Sequence, residues 1–194
     1  MKVAVDYEYD VFFSYKRHDQ TAEWTRRIQE LLRLWLSQEM GAPMKMFVDV
    51  NTIEVGEKWP ETIKLGLQRS KCMVGVWSPL YFQSPWCVSE WRSFLAREKT
   101  LDLDSHGLIA PIRFHDGDSF PHEARQVQSL DFTPYASALP AFWSSPRSLD
   151  LEDQIKILAK SVAKILDRAP PFNAEWPVIE TAGDAPPKIP LGRL

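Results

Sequence analysis

Short apolar runs, separated by amphipathic or polar stretches, set the rhythm of this chain. "YDVFFSY" (Tyr9–Tyr15) is apolar and aromatic and gives way to the charged "KRHDQ". Such a run reads as a buried strand feeding a loop. "KMFVDV" (Lys45–Val50), "KCMVGVWS" (Lys71–Ser78) and "GLIAPIRF" (Gly107–Phe114) read the same way. "SLDFTPY" offers a short fifth strand near Leu130–Phe132. "KCMVGVWS" is apolar on both faces, the pattern of a central parallel strand.

Helical periodicity fills the gaps. Trp24, Ile28, Leu31, Leu32 and Trp35 recur at helical spacing, with Glu23, Arg27, Glu30 and Arg33 between them. Gly41 and Pro43 end that helix. Pro60 suits the first turn of a helix over Glu61–Arg69. "SPLYFQ" turns into a helix with Ser84 as N-cap and Pro85 at its first position, running to about Lys99. A last amphipathic helix, about Leu149–Asp167, places Ile155, Leu158, Val162 and Ile165 on one face. Strands alternating with helices predict an α/β fold with a parallel sheet and right-handed crossovers. From Pro170 to Leu194 the chain is Pro-rich and aperiodic. That segment is either a tail folded over the body or a linker, and Trp176 in "AEWPVIE" is a possible anchor.

Composition narrows the class. The 194 residues make one domain of ordinary size. The net charge of −3, from 23 basic and 26 acidic residues, argues against a nucleic-acid partner bound through phosphate neutralisation. Cys72 and Cys87 form no C-x-x-C pair, so a reducing, cytoplasmic setting without disulfides is expected. No run approaches the roughly 18–20 apolar residues of a membrane span. His106, His115 and His122 lack metal-ligand spacing, so no metal is expected.

In an open parallel sheet, ligands bind beyond the C-terminal ends of the strands. "KRHDQ", "DVNTIEVGEKW" and "SPLYFQSPWCVSEW" meet there. Glu90 sits within two turns of its helix start and shares a face with Trp86 at i and i+4. Cys87, Trp91, Phe94 and Leu95 spread over the expected core side.

Taken together, "YDVFFSYKRHD" and "MFVDVNTIEVGEKWPETIKLGLQRSKCMVGVWSPLYFQSPWCVSEW" resemble a Toll/interleukin-1 receptor (TIR) domain over roughly Tyr9–Leu166. "YDVFFSYKRHD" resembles the family's box 1. "FVDVNTIEVGEKWPETIKLGLQRSK" resembles the segment holding its BB loop. "VWSPLYFQSPWCVSEW" resembles its S-x-x-[YF]-x-x-S-x-W-C-x-x-E signature. The style is that of prokaryotic and plant-type NAD-cleaving members, because the R-D-x-x-P-G pattern of Toll receptors is absent. Phe142-Trp143 is a loose match to box 3. The resemblance implies a flavodoxin-like three-layer fold with a five-stranded parallel sheet in the order 2-1-3-4-5. It sets a TIR domain at residues 1–168 and a Pro-rich tail or linker at 169–194.

It also implies an activity. Some members hydrolyse or cyclise NAD+ with a glutamate at the W-x-x-x-E position, here Glu90 after Trp86. NAD+ is then the substrate, and no cofactor is expected. Cleaving the nicotinamide–ribose bond expels a neutral base, so a strong general acid is not required. The demand is for negative charge beside a developing oxocarbenium and for acceptors holding the ribose hydroxyls. An aromatic wall for the cationic ring helps. Substrate contacts are expected from Trp86, Ser14, Tyr15, Lys16, Arg17 and Asp49, with the amides of "YKRHD" toward the phosphates.

Each assignment has a plainer counterpart. Trp86 can pack under the next loop, Ser14 can bond the loop, and Asp49 can serve as a turn or cap. His18 and Asp19 read better as a surface pair than as a base with its orienter. Cys87 reads as a buried helical thiol, not a nucleophile.

The BB loop, Thr52, Ile53, Glu54, Val55, Gly56, Glu57, Lys58 and Trp59, is expected to contact a second TIR copy, with Gly56 letting it turn. Assembly would then activate the enzyme in prokaryotic defence signalling, with a sensor or effector domain supplied from outside this sequence. The competing readings are a non-catalytic scaffold for homotypic TIR contacts and a nucleotide-binding or base-exchange enzyme using the same edge.

Overall fold

A computed structural model describes residues 6–48, 59–101 and 107–179. Asp49 and the BB-loop positions Thr52 to Lys58 lie outside the described residues. Trp59 opens a helix, but its side chain is also outside the description.

Five strands make one sheet: β1 (Tyr9–Tyr15), β2 (Met46–Val48), β3 (Ser70–Trp77), β4 (Ile109–Arg113) and β5 (Leu130–Asp131). Every pairing is parallel and the order is β2-β1-β3-β4-β5. That is the expected flavodoxin-like arrangement. The helices are α1 (Ala22–Met40), α2 (Trp59–Arg69), α3 (Pro79–Gln83), α4 (Pro85–Leu101), α5 (His122–Gln126) and α6 (Arg147–Asp167).

The period of two divides the core. Val11 and Phe13 of β1, with Cys72, Val74 and Val76 of β3, pack against the apolar stripes of α1 and α6. Phe12 of β1, with Met73 and Trp77 of β3, packs against Ile63 and Leu67 of α2 and Trp91 and Phe94 of α4. Each such side chain contributes roughly 1.5–3 kcal/mol by leaving water, so the two layers dominate stability. α1 stops where Gly41 takes a left-handed φ of 64°, as the Gly41 stop signal predicts.

The stretch read as a turn into α4 is itself helical. Ser78 caps α3 by accepting a hydrogen bond from the Tyr81 amide at 3.2 Å, and Pro79 follows it. Ser84-Pro85 then repeats the Ser-Pro signal and starts α4. The reason for two helices is two start signals six residues apart.

The chain after α6 returns across α4. Ile179 donates its N–H to Ser93 Oγ at 2.9 Å, and Ser89 Oγ donates to the Ile179 carbonyl. Trp176 is 6% exposed, donates Nε1 to Tyr7 OH at 3.1 Å, and lies 4.9 Å from the Arg97 guanidinium. Arg97 is itself buried and donates to the Ser70 and Leu67 carbonyls at 2.8 and 2.7 Å. Burial lowers its pKa to about 10, still charged at neutral pH. Residues 172 to 179 therefore lie across the helix that carries Glu90, and Arg97 beneath Trp176 ties that helix to the start of β3.

Candidate active site

The residue that sequence reasoning favours, Glu90, is 5% exposed. It belongs to the second turn of α4, beside the C-terminal ends of β1 and β3. Ser14, next to last in β1, donates its hydroxyl to Glu90 Oε2 at 2.5 Å. Ser14 Oγ also lies 2.8 Å from the Tyr81 hydroxyl. A serine has one proton, and Ser14 spends it on Glu90, so Tyr81 donates to Ser14. The result is a directed chain, Tyr81 O–H to Ser14 O–H to the Glu90 carboxylate.

Tyr81 holds its proton firmly. It is fully buried, and burial pushes its phenol well above the ordinary value; nearby Cys87 and Glu90 add to the push, and the Ser14 bond opposes it. The chain thus delivers hydrogen bonds toward Glu90. Sequence reasoning missed Tyr81. Its signal was present in the S-x-x-Y spacing of "SPLY", to which no role had been attached.

Local sequence explains the geometry. Ser14 stands opposite Gly75 across the β1–β3 register. A Cβ on Gly75 would sit 2.7 Å from Trp77 Nε1, so the bare backbone makes room for the indole next to the site. Trp77 in turn meets Phe82, Trp91 and Phe120 edge to face, with ring centroids 5.4, 6.1 and 6.2 Å away. Trp86 is half-buried and packs against this same aromatic layer.

The expected substrate contacts from the end of β1 do not stay together. Ser14 faces α4, but Tyr15 packs with the α1 and α6 layer, on the other side of the sheet. Tyr15 and Lys16 line a cleft of about 430 Å³ with His18, Phe114 and His115. Strand alternation separates Tyr15 from Ser14, and Lys16 follows the end of β1. Arg17 is half-buried and His18 exposed, and the side chain of Asp19 lies outside the description. Cys87 is buried, the setting of a packing thiol. Among the described residues, no group of three His, Cys, Asp or Glu side chains is placed to hold a metal ion. Among them also, no helix is long and apolar enough to cross a membrane.

A family-wide sequence profile described as the TIR domain matches residues 11–141, more than half of the chain. The chain belongs to the TIR domain family. The TIR domain is also similar to the NAD(+) hydrolase TirS of Staphylococcus aureus (strain MSSA476), with 35% identity over 105 residues. That match covers 54% of this chain and 34% of the relative, so the chain spans about a third of that protein's length. Among solved structures, the TIR domain of the Toll-related receptor TRR-2 from Hydra magnipapillata is 22% identical, with a TM-score of 0.48, over 75% of this chain and 98% of that one. The TIR domains of the activated Roq1 resistosome, directly recognizing the pathogen effector XopQ, are 18% identical with a TM-score of 0.43. That match covers 82% of this chain and 84% of the other.

Proposed function

We propose that this TIR domain cleaves the nicotinamide–ribose bond of NAD+, with Glu90 as the catalytic carboxylate. The observation that carries this reading is the Tyr81–Ser14–Glu90 chain: a carboxylate withdrawn from water at the ligand-binding edge of a parallel sheet, aimed by two hydroxyls. The similarity to a NAD(+) hydrolase supports it. The C–N bond breaks with its electron pair passing to nicotinamide, which leaves neutral. Glu90 faces the positive charge left on the ribose, where a desolvated carboxylate is most effective. Water then adds to the anomeric carbon and releases a proton, giving ADP-ribose. Attack by a ring nitrogen of the adenine instead gives a cyclic isomer.

At 5% exposure, Glu90 meets a ribose only after neighbouring groups move aside. This favours a domain that is quiet alone and active when copies assemble, with the BB loop of one completing the site of the next. Such a device suits a cytoplasmic alarm in prokaryotic defence, triggered by a sensor domain. The same burial favours the second reading, a scaffold that only recruits further TIR domains.

The test is incubation of the protein with NAD+, dilute and artificially clustered, beside Glu90→Ala, with chromatography of the products. Nicotinamide release by the clustered wild type and not by the variant is expected. Equal release by both removes Glu90 from the mechanism. No release from folded, clustered wild type leaves the scaffold.

A further inference from the structure

Two indole N–H groups in the layer between the sheet and α4 have no acceptor among the described residues: Trp77 Nε1 and Trp91 Nε1. Both tryptophans are 1% exposed. A buried donor without a partner costs stability, and native folds keep few of them. Phe82, Trp91 and Phe120 meet the Trp77 ring on their edges or with their faces, hold it in place, and carry no acceptor of their own.

Gly75 shows where the Trp77 N–H lies. Nε1 is 2.7 Å from the point at which a Cβ on residue 75 would stand, so it takes the place of that residue's side chain. Residue 75 is the cross-strand neighbour of Ser14, and adjacent strands run about 4.8 Å apart. The Ser14 hydroxyl and the Trp77 N–H therefore stand side by side on the sheet, one on β1 and one on β3, both on the α4 face. Ser14 donates to Glu90 Oε2 from its place. Trp77 offers a second donor one strand away. A carboxylate withdrawn from water gains more from such a donor than a neutral acceptor does, and Glu90 is 5% exposed.

We propose that Trp77 is a second positioning residue for Glu90, its indole N–H joining the Ser14 hydroxyl on the carboxylate once a bound substrate turns that carboxylate toward the ribose. The proposal rests on the reading of Glu90 as the catalytic carboxylate and deepens it. Trp77 keeps its proton and makes no bond to the substrate. Its donor is unpaired in the resting domain and paired in the working one, which favours the turned carboxylate.

The experiment replaces the Trp77 indole by benzothiophene, through incorporation of β-(3-benzothienyl)alanine, which keeps the shape and loses the N–H. Nicotinamide release from NAD+ by the clustered protein gives kcat and KM, and urea denaturation gives the stability of the resting protein. The expected result is a kcat about tenfold lower, the loss of one hydrogen bond to a charged group, with KM within about twofold of wild type. Resting stability is expected to be equal or higher, because the N–H that is lost has no partner there. Trp77→Phe is expected to lower kcat at least as far, with some loss of stability from its smaller ring. The benzothiophene replacement at Trp91, which removes the other unpaired N–H, is expected to leave kcat unchanged. The proposal falls if the Trp77 replacement turns over as wild type does, or if the Trp91 replacement costs as much. It falls if KM rises while kcat holds, since the N–H would then meet the substrate. It falls also if the isosteric protein is less stable at rest, since the N–H would then have a structural partner. Glu90→Ala run in parallel separates the two readings: release that persists there overturns the role of Glu90 itself, whereas full activity in the Trp77 replacement overturns only the role of Trp77.

Discussion

Ser14 Oγ and Glu90 Oε2 stand 2.5 Å apart across 76 residues of chain, joining the end of β1 to the second turn of α4. The contact ties the candidate catalytic carboxylate to the sheet. It also fixes which proton goes where, because Tyr81 must then donate to Ser14. Glu90→Gln preserves shape and removes the charge. Nicotinamide release by the clustered protein is expected to fall at least about 10²-fold, with an unchanged circular dichroism spectrum. A fall below threefold would make Glu90 a structural residue.

Tyr81→Phe and Ser14→Ala separate orientation from charge. Tyr81→Phe deletes one buried hydrogen bond and Ser14→Ala deletes two, each bond worth about 1 kcal/mol in chemical denaturation. Turnover is expected to drop in both, more in Ser14→Ala, which removes the hydroxyl that donates directly to Glu90. Kinetics that match wild type in Ser14→Ala would show that the chain does not aim the carboxylate.

The same phenol predicts an alkaline signature. Its pKa in the fold lies above the ordinary 10.0, so the folded state holds this proton more tightly than the unfolded state does. Its contribution is whole below pH 10 and is lost as pH rises from there toward the folded value. Wild-type stability should therefore decline more steeply than that of Tyr81→Phe above pH 10. Parallel curves in alkaline denaturant titrations would refute the assignment.

Gly75→Ala tests the packing beside the site. Its Cβ would meet Trp77 Nε1 at 2.7 Å, and Trp77 is held by three aromatic neighbours. A loss of about 1–3 kcal/mol is expected, with reduced activity because Ser14 pairs with this residue. A neutral result would mean that the indole swings aside freely.

The strap across α4 makes its own prediction. Trp176→Ala removes a buried indole that covers Arg97, at a cost of about 3 kcal/mol. Hydrogen exchange should accelerate in α4 before it does in α1. Unchanged protection in α4 would reduce the strap to a surface ornament.

Much of this was legible in the chain itself. The apolar runs "YDVFFSY" and "KCMVGVWS", and the helical stripes from Trp24 to Trp35 and Ile155 to Ile165, specified strands, helices and a parallel sheet, because period and run length are local properties. The family signature around "SPWCVSEW" singled out Glu90 for the same reason: its spacing is written along the chain. What only the tertiary structure decided is who meets whom. Glu90 was expected at the sheet edge on the face it shares with Trp86; its burial there and the Ser14 hydroxyl that donates to it come from β1. Tyr15 and Lys16, one and two residues beyond Ser14, line a cleft on the opposite side. Tyr81 gains its role from contacts made across the fold. The pattern of a sequence fixes the face on which a side chain emerges; the hydrogen bond it makes depends on a surface brought there by another part of the chain.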